Sequence, residues 1–209
     1  MKTCVYCGNP AKTRDHVPPK SFYIEPLPVN LITVPCCYNC NHNFSTIEDY
    51  ARTVLSSARE EVASAELAVE LWHQKVERSL KRNIKLAEEI YYSFRPFGSD
   101  RLAFKIDREK IDLFIIKIIK GLYFYHFKKP LDNSYKVIVK LFPGTDRIPI
   151  QFPQEFVDML YQIPIESIGN GVIRYRRMHA IEDEYFTCWI VSFFNSDYNT
   201  FLIWTKNID

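Results

Sequence analysis

The strongest constraint in this sequence is the placement of its cysteines: Cys4-x-x-Cys7 and Cys37-x-x-Cys40, two tight pairs held apart by a long intervening stretch. Each C-x-x-C unit presents two sulfurs from one turn, and four thiolates complete a closed tetrahedral zinc site with Zn–S distances of about 2.3 Å. A shared metal fixes two distant loops to one point. It makes the chain between them an ordered excursion, although that stretch has few apolar residues for a core of its own. Cys36 could replace Cys37 as the ligand, but C-x-x-C is the usual spacing and C-x3-C the less common one; Cys36 and Cys188 otherwise read as small buried hydrophobes. All the cysteines except Cys188 lie at or before Cys40. A disulfide framework would spread them along the chain and belongs to small secreted domains, so structural zinc is the expected chemistry.

Beyond Cys40 the chain has the composition of a folded protein: of the 209 residues, 47% are hydrophobic, 25% charged and 15% aromatic, which excludes a disordered or fibrous chain. With 27 Lys and Arg against 25 Asp and Glu, the net charge of +2 names no partner by itself. The most apolar stretch, Leu113 to Phe127, is interrupted by Lys117, Lys120 and His126, which argues against a membrane span. No apolar run of signal-peptide type precedes Lys12, Arg14 and Asp15, so a cytoplasmic location is expected.

From Cys36 to Arg95 the chain contains neither Gly nor Pro, which favours helix throughout, and two helices are expected there. Ser45-Thr46-Ile47-Glu48 fits a capping box opening the first. Val69, Trp72, Val76, Leu80, Ile84, Ala87 and Tyr91 mark one apolar face of a long amphipathic helix; its other face carries Lys75, Arg78, Lys81, Arg82 and Lys85, a solvated surface or a contact for a nucleic-acid backbone. Arg95 to Asp100 is the clearest punctuation. Beyond it, Asp107 is expected to cap a helix over Arg108 to Phe127. Strands are expected at Tyr135 to Phe142, through Ile148 to Phe152, at Val172 to Arg177, Tyr185 to Phe194 and Thr200 to Lys206, with a short helix after Pro153. The expected class is α+β: a zinc-stapled finger over residues 1–50, a helical connector over 51–95 and an α+β domain over 96–209. Arg174, Arg176 and Arg177 read as strand arginines with a phosphate-binding alternative, and His73, His126 and His179 as structural.

Between the cysteine pairs lies Thr13-Arg14-Asp15-His16-Val17-Pro18-Pro19-Lys20, then Asn30-Leu31-Ile32-Thr33-Val34, and after Cys40 come Asn41-His42-Asn43. An Asp-His pair on one strand, an Asn-led segment on the next and a Cys-x-x-Cys-Asn entering a helix together resemble the HNH, or His-Me finger, endonucleases. The resemblance covers about the first quarter of the chain. It implies a ββα-metal fold, a hairpin and helix clasping one divalent cation, with His16 as general base, Asp15 and Asn41 as cation ligands and Asn30 orienting the loop. The last motif position is often His in the family; here Asn41 occupies it and His42 follows, an alternative ligand if the register slips by one.

Those residue types suit phosphodiester hydrolysis. Histidine, with an ordinary pKa near 6.5, accepts a proton from water at neutral pH, and hard oxygen donors hold Mg²⁺ or Mn²⁺ against a phosphate. Arg14 and Lys20 flank the pair as phosphate-positioning groups. The sequence therefore leads to the expectation of a metal-dependent endonuclease acting on nucleic acid, DNA ahead of RNA, with structural zinc. A zinc-dependent nucleic-acid-binding module without hydrolysis is the alternative. One active site cuts one strand at a time, so double-strand cleavage would call for a homodimer; a protein partner on the C-terminal domain is the other association considered.

Overall fold

A computed structural model describes residues 2–57, 65–97, 101–142, 154–196 and 199–208. The chain opens on a turn through Cys4 to Gly8, where Gly8 takes a positive φ of 77° that a side chain would resist. Strand β1 (Thr13–Val17) then pairs antiparallel with β2 (Ile32–Cys36), Asp15 facing Val34 across the ladder and His16 facing Thr33. Helix α1 (Tyr38–Ser57) comes directly after and completes a ββα unit. It starts well ahead of the expected Ser45 cap. Ser45 lies inside the helix and donates its hydroxyl to the His42 carbonyl 2.7 Å away, because the Cys37 turn already supplies the helix start: its carbonyl accepts the Asn41 N–H.

The single long helix expected from Val69 is instead a broken rod. α2 (Ala65–Leu71) passes through a π-helical turn (Trp72–Val76) into α3 (Glu77–Arg82), and Asn83, at φ −113° and ψ 86°, leaves the helical region before α4 (Ile84–Ser93). The Asn83 side chain accepts the Leu86 N–H and caps α4, the local bonding by which Asn competes with a continuous helix. The break also changes which residues are buried: Leu86 and Ile90 turn inward while Ile84 and Tyr91 are exposed. Arg95-Pro96 lies in a hairpin of β3 (Phe94–Phe97) and β4 (Arg101–Phe104).

Asp107 caps α5 (Arg108–Phe127) as expected, accepting the Lys110 N–H. The C-terminal strands β5 (Tyr135–Leu141), β6 (Glu166–Ile168), β7 (Ile173–His179), β8 (Thr187–Phe193) and β9 (Thr200–Asn207) form an antiparallel sheet in the order β5-β9-β8-β7-β6. The strand expected through Ile148 to Phe152 lies outside the described residues. Helix α6 (Gln154–Gln162) precedes β6, and its Leu160 packs with Cys188, Ile190 and Leu202 on one face of the sheet. Trp189, Val191, Phe193 and Ile203 face α5 on the other, so β8 is covered on both sides. The molecule is mixed helix and sheet, and one continuous apolar core joins Val17, Ile32 and Val34 of the finger to α5 and to the sheet. No helix among the described residues is long and apolar enough to cross a membrane.

Candidate zinc centre and the Asp-His hairpin

The Sγ atoms of Cys4, Cys7, Cys37 and Cys40 all lie within 4.8 Å of one another, and Cys7 Sγ is 3.7 Å from Cys37 Sγ. Four sulfurs about 2.3 Å from one tetrahedral centre stand about 3.8 Å apart, so this cluster can hold a metal ion such as zinc. The Cys40 N–H points at Cys37 Sγ from 3.4 Å. Burial opposes the Cys4 thiolate, but the backbone around it, at Cys37, Tyr6 and Cys7, brings its pKa down to about 7. Cys36 is fully buried, donates from Sγ to the Cys37 carbonyl at 3.3 Å and lies outside the four-sulfur group, its pKa pushed up to about 12 by burial, then by Cys4 and Asp15. Cys37 is thus the partner of Cys40.

Strand geometry separates the Asp-His pair. Successive residues of β1 point to opposite faces. Asp15 faces inward with Val17, 5% exposed, and His16 faces outward with Arg14, half-buried. On the inner face the Asp15 carboxylate accepts the Tyr6 hydroxyl at 2.6 Å and pairs with Lys117 Nζ at 2.8 Å. Lys117 comes from α5, is 1% exposed, and also reaches Glu48 Oε1 of α1 at 2.5 Å. Its ammonium lies 5.8 Å from the Tyr6 ring centroid and 5.4 Å from that of Phe44. An internal cation therefore sits between hairpin and helix, held by two carboxylates and two aromatic rings. Burial raises the Glu48 pKa, with Lys117 opposing it, and burial followed by Asp15 raises that of Tyr6.

The other expected site residues are placed separately. Asn30 donates to the Ser167 carbonyl at 3.2 Å and accepts the Gly169 N–H at 3.2 Å, so it ties the β1–β2 hairpin to the β6–β7 turn. Asn41 donates from Nδ2 to Thr13 Oγ1 at 3.4 Å. His42 is exposed and stacks on Tyr38 at 6.1 Å between centroids. Arg14 donates from Nε to Thr33 Oγ1 at 3.0 Å, and Lys20 is exposed. No hydrogen bond or ion pair among the described residues joins Asp15 to Asn30, Asn41 or His42. His16 has its pKa lowered from 6.5, by burial first and then by Lys20, with Asp15 opposing and Lys117 and Arg14 adding to the depression. Sequence reasoning missed Lys117, Glu48 and Tyr6; the one signal was a lysine at position 117 inside the most apolar stretch of the chain, a charge that needs a partner once buried. Compared with protein-family models, curated proteins and solved structures, the chain matches none.

Proposed function

We propose that the chain is a zinc-stapled ββα-finger nuclease, a hydrolase of phosphodiester bonds in nucleic acid, DNA ahead of RNA, with His16 as general base. The observation that carries this reading is the placement of His16. It is a half-buried imidazole on the outer face of a hairpin that runs into the cysteine cluster, with its pKa lowered by burial and then by Lys20. A neutral imidazole can take the proton of an attacking water, and the exposed Arg14 and Lys20 would draw a phosphate to the same side. A divalent cation such as Mg²⁺ or Mn²⁺ would neutralise charge growing on the phosphate. Asp15 is available to such a cation only if Lys117 gives up its carboxylate; Asn41 stands at the first turn of α1, its amide nitrogen turned to Thr13.

The test is supercoiled plasmid incubated with zinc-loaded protein in Mg²⁺, in Mn²⁺ and in EDTA, with His16→Ala in parallel. Divalent-dependent nicking that disappears in the variant, at unchanged zinc content, is the expected result. Cleavage retained by His16→Ala would remove the histidine from the mechanism.

A second reading is favoured by the Asp15–Lys117–Glu48 cluster, in which the carboxylates are already neutralised by an internal cation. On that reading the finger is a zinc-dependent nucleic-acid-binding module without hydrolysis. Duplex binding by the zinc-loaded protein without added Mg²⁺ or Mn²⁺, with no strand breakage under any divalent metal, selects it.

A further inference from the structure

Between α1 and the broken rod lies a cavity of about 450 Å³ whose lining among the described residues includes Arg52, Lys75, Arg78 and Arg82 and the carboxylate of Asp49, with Glu48 near Arg52 and Glu25 near Lys75 behind them. The chemistry of these side chains differs from that of an ordinary solvated face. Arg52 comes from α1, is 5% exposed, and spends one Nη on Asp49 at 2.9 Å; its buried Nε has no hydrogen-bond partner among the described residues. A buried guanidinium donor left open is costly unless something accepts from it.

The other three cations come from the facing rod. Lys75, Arg78, Ser79 and Arg82 are spaced i, i+3, i+4 and i+7, one stripe of a helix, and the stripe lies over Arg52 because the π turn packs on α1. That π turn adds a residue to the helical circuit and rotates α3 relative to α2, a distortion frequent at functional sites. Asn83 closes the pocket where α4 begins. Lys81 and Lys85, on the same basic stretch, do not line it.

We propose that this pocket is a phosphate-binding site, with Arg52 as the buried fork and Arg78 and Arg82 as the outer clamp. Planar guanidinium groups match the oxygens of a phosphate in pairs, and the excess of positive charge around one pocket favours an anion. The volume admits a phosphate with the first part of whatever carries it, a nucleic-acid backbone or a small phosphorylated molecule. The site does not depend on His16 or on hydrolysis.

The probe is inorganic phosphate, followed by ³¹P NMR line broadening with the full chain. Wild type is expected to broaden the signal, and Arg78→Ala/Arg82→Ala, which alters the outer clamp alone, to weaken binding about tenfold or more by removing two charge-assisted contacts. Lys81→Ala/Lys85→Ala removes the same charge from the same stretch and is expected to bind as wild type. Arg52→Gln is read beside them, with its circular dichroism as the check on folding. Equal weakening in both double variants, or no broadening by wild type, would overturn the proposal. Pyrophosphate is then expected to displace phosphate. Displacement also by a short DNA duplex assigns the pocket to a nucleic-acid backbone, whereas displacement by pyrophosphate alone assigns it to a small phosphorylated ligand; failure of pyrophosphate to displace would again overturn the site.

Discussion

Lys117 is the residue on which the finger and the rest of the molecule meet electrostatically. Removing it strands the Asp15 carboxylate in the core, and breaking one side of a buried pair typically costs about 3–5 kcal/mol. Lys117→Met is therefore expected to lower the unfolding free energy, measured by urea titration, by that scale. Asp15→Asn combined with Lys117→Met should recover much of the loss, since Glu48, whose pKa burial already raises, can take up a proton. Additive losses in the double variant would show that the pair is not the source of the stability. A second residue-scale effect belongs to His126, which is shifted to about 4 by burial first and Arg177 second, with Glu166 opposing. Tyr175 gives its proton to Glu166 at 3.1 Å, so His126 Nε2 is the donor to the Tyr175 oxygen at 3.0 Å. The folded-state pKa is depressed, so the neutral ring contributes stability above pH 6.5 that is lost as pH falls towards about 4. Thermal melts across that window should fall more steeply for wild type than for His126→Gln; parallel curves would assign the acid loss to other groups.

Among the elements, the cysteine loops and the rod differ in how openly the sequence displays them. The cysteine spacing announces the cluster, because a tetrahedral metal needs four sulfurs within reach and a C-x-x-C turn supplies two at a time. One zinc per chain is expected by atomic absorption, lost in Cys4→Ser and kept in Cys36→Ser; zinc retained in the first or absent in the second would reassign the ligands. Chelation should cost helical signal, since α1 begins at the Cys37 turn. The rod is less legible. Its apolar periodicity runs unbroken through Asn83, and no Gly or Pro marks the interruption; the break depends on an Asn side chain that caps α4 instead of continuing α3. Similarly, the alternation of β1 is implicit in the sequence, but which face turns inward is not, since Asp15 is the last residue expected on the core side of a strand.

At the scale of the whole molecule, α5 is the shared wall. Gly121 faces Val17 so closely that a Cβ would come within 2.5 Å of it, and Val17, being β-branched and buried, has little room to turn. Gly121→Ala gains about 1 kcal/mol of helix propensity but is expected to lose about 1–3 kcal/mol to overpacking, a net fall in the urea midpoint. A rise would mean that the hairpin can shift on α5. Because the finger's inner face is completed by α5, a fragment of residues 1–57 with zinc should show poor amide dispersion by NMR where the full chain is well dispersed; a well-dispersed fragment would make the finger autonomous. The sequence by itself determined the cysteine cluster, the α5 helix with its Asp107 cap and four of the C-terminal strands, all of which rest on local spacing and periodicity. Only the tertiary structure decided that Asp15 belongs to Lys117, that Asn30 reaches the β6–β7 turn, and that Arg52 lies under the cations of the rod. Those partners are distant in sequence, and a charge declares its partner only when folding removes it from water and requires that it be paired.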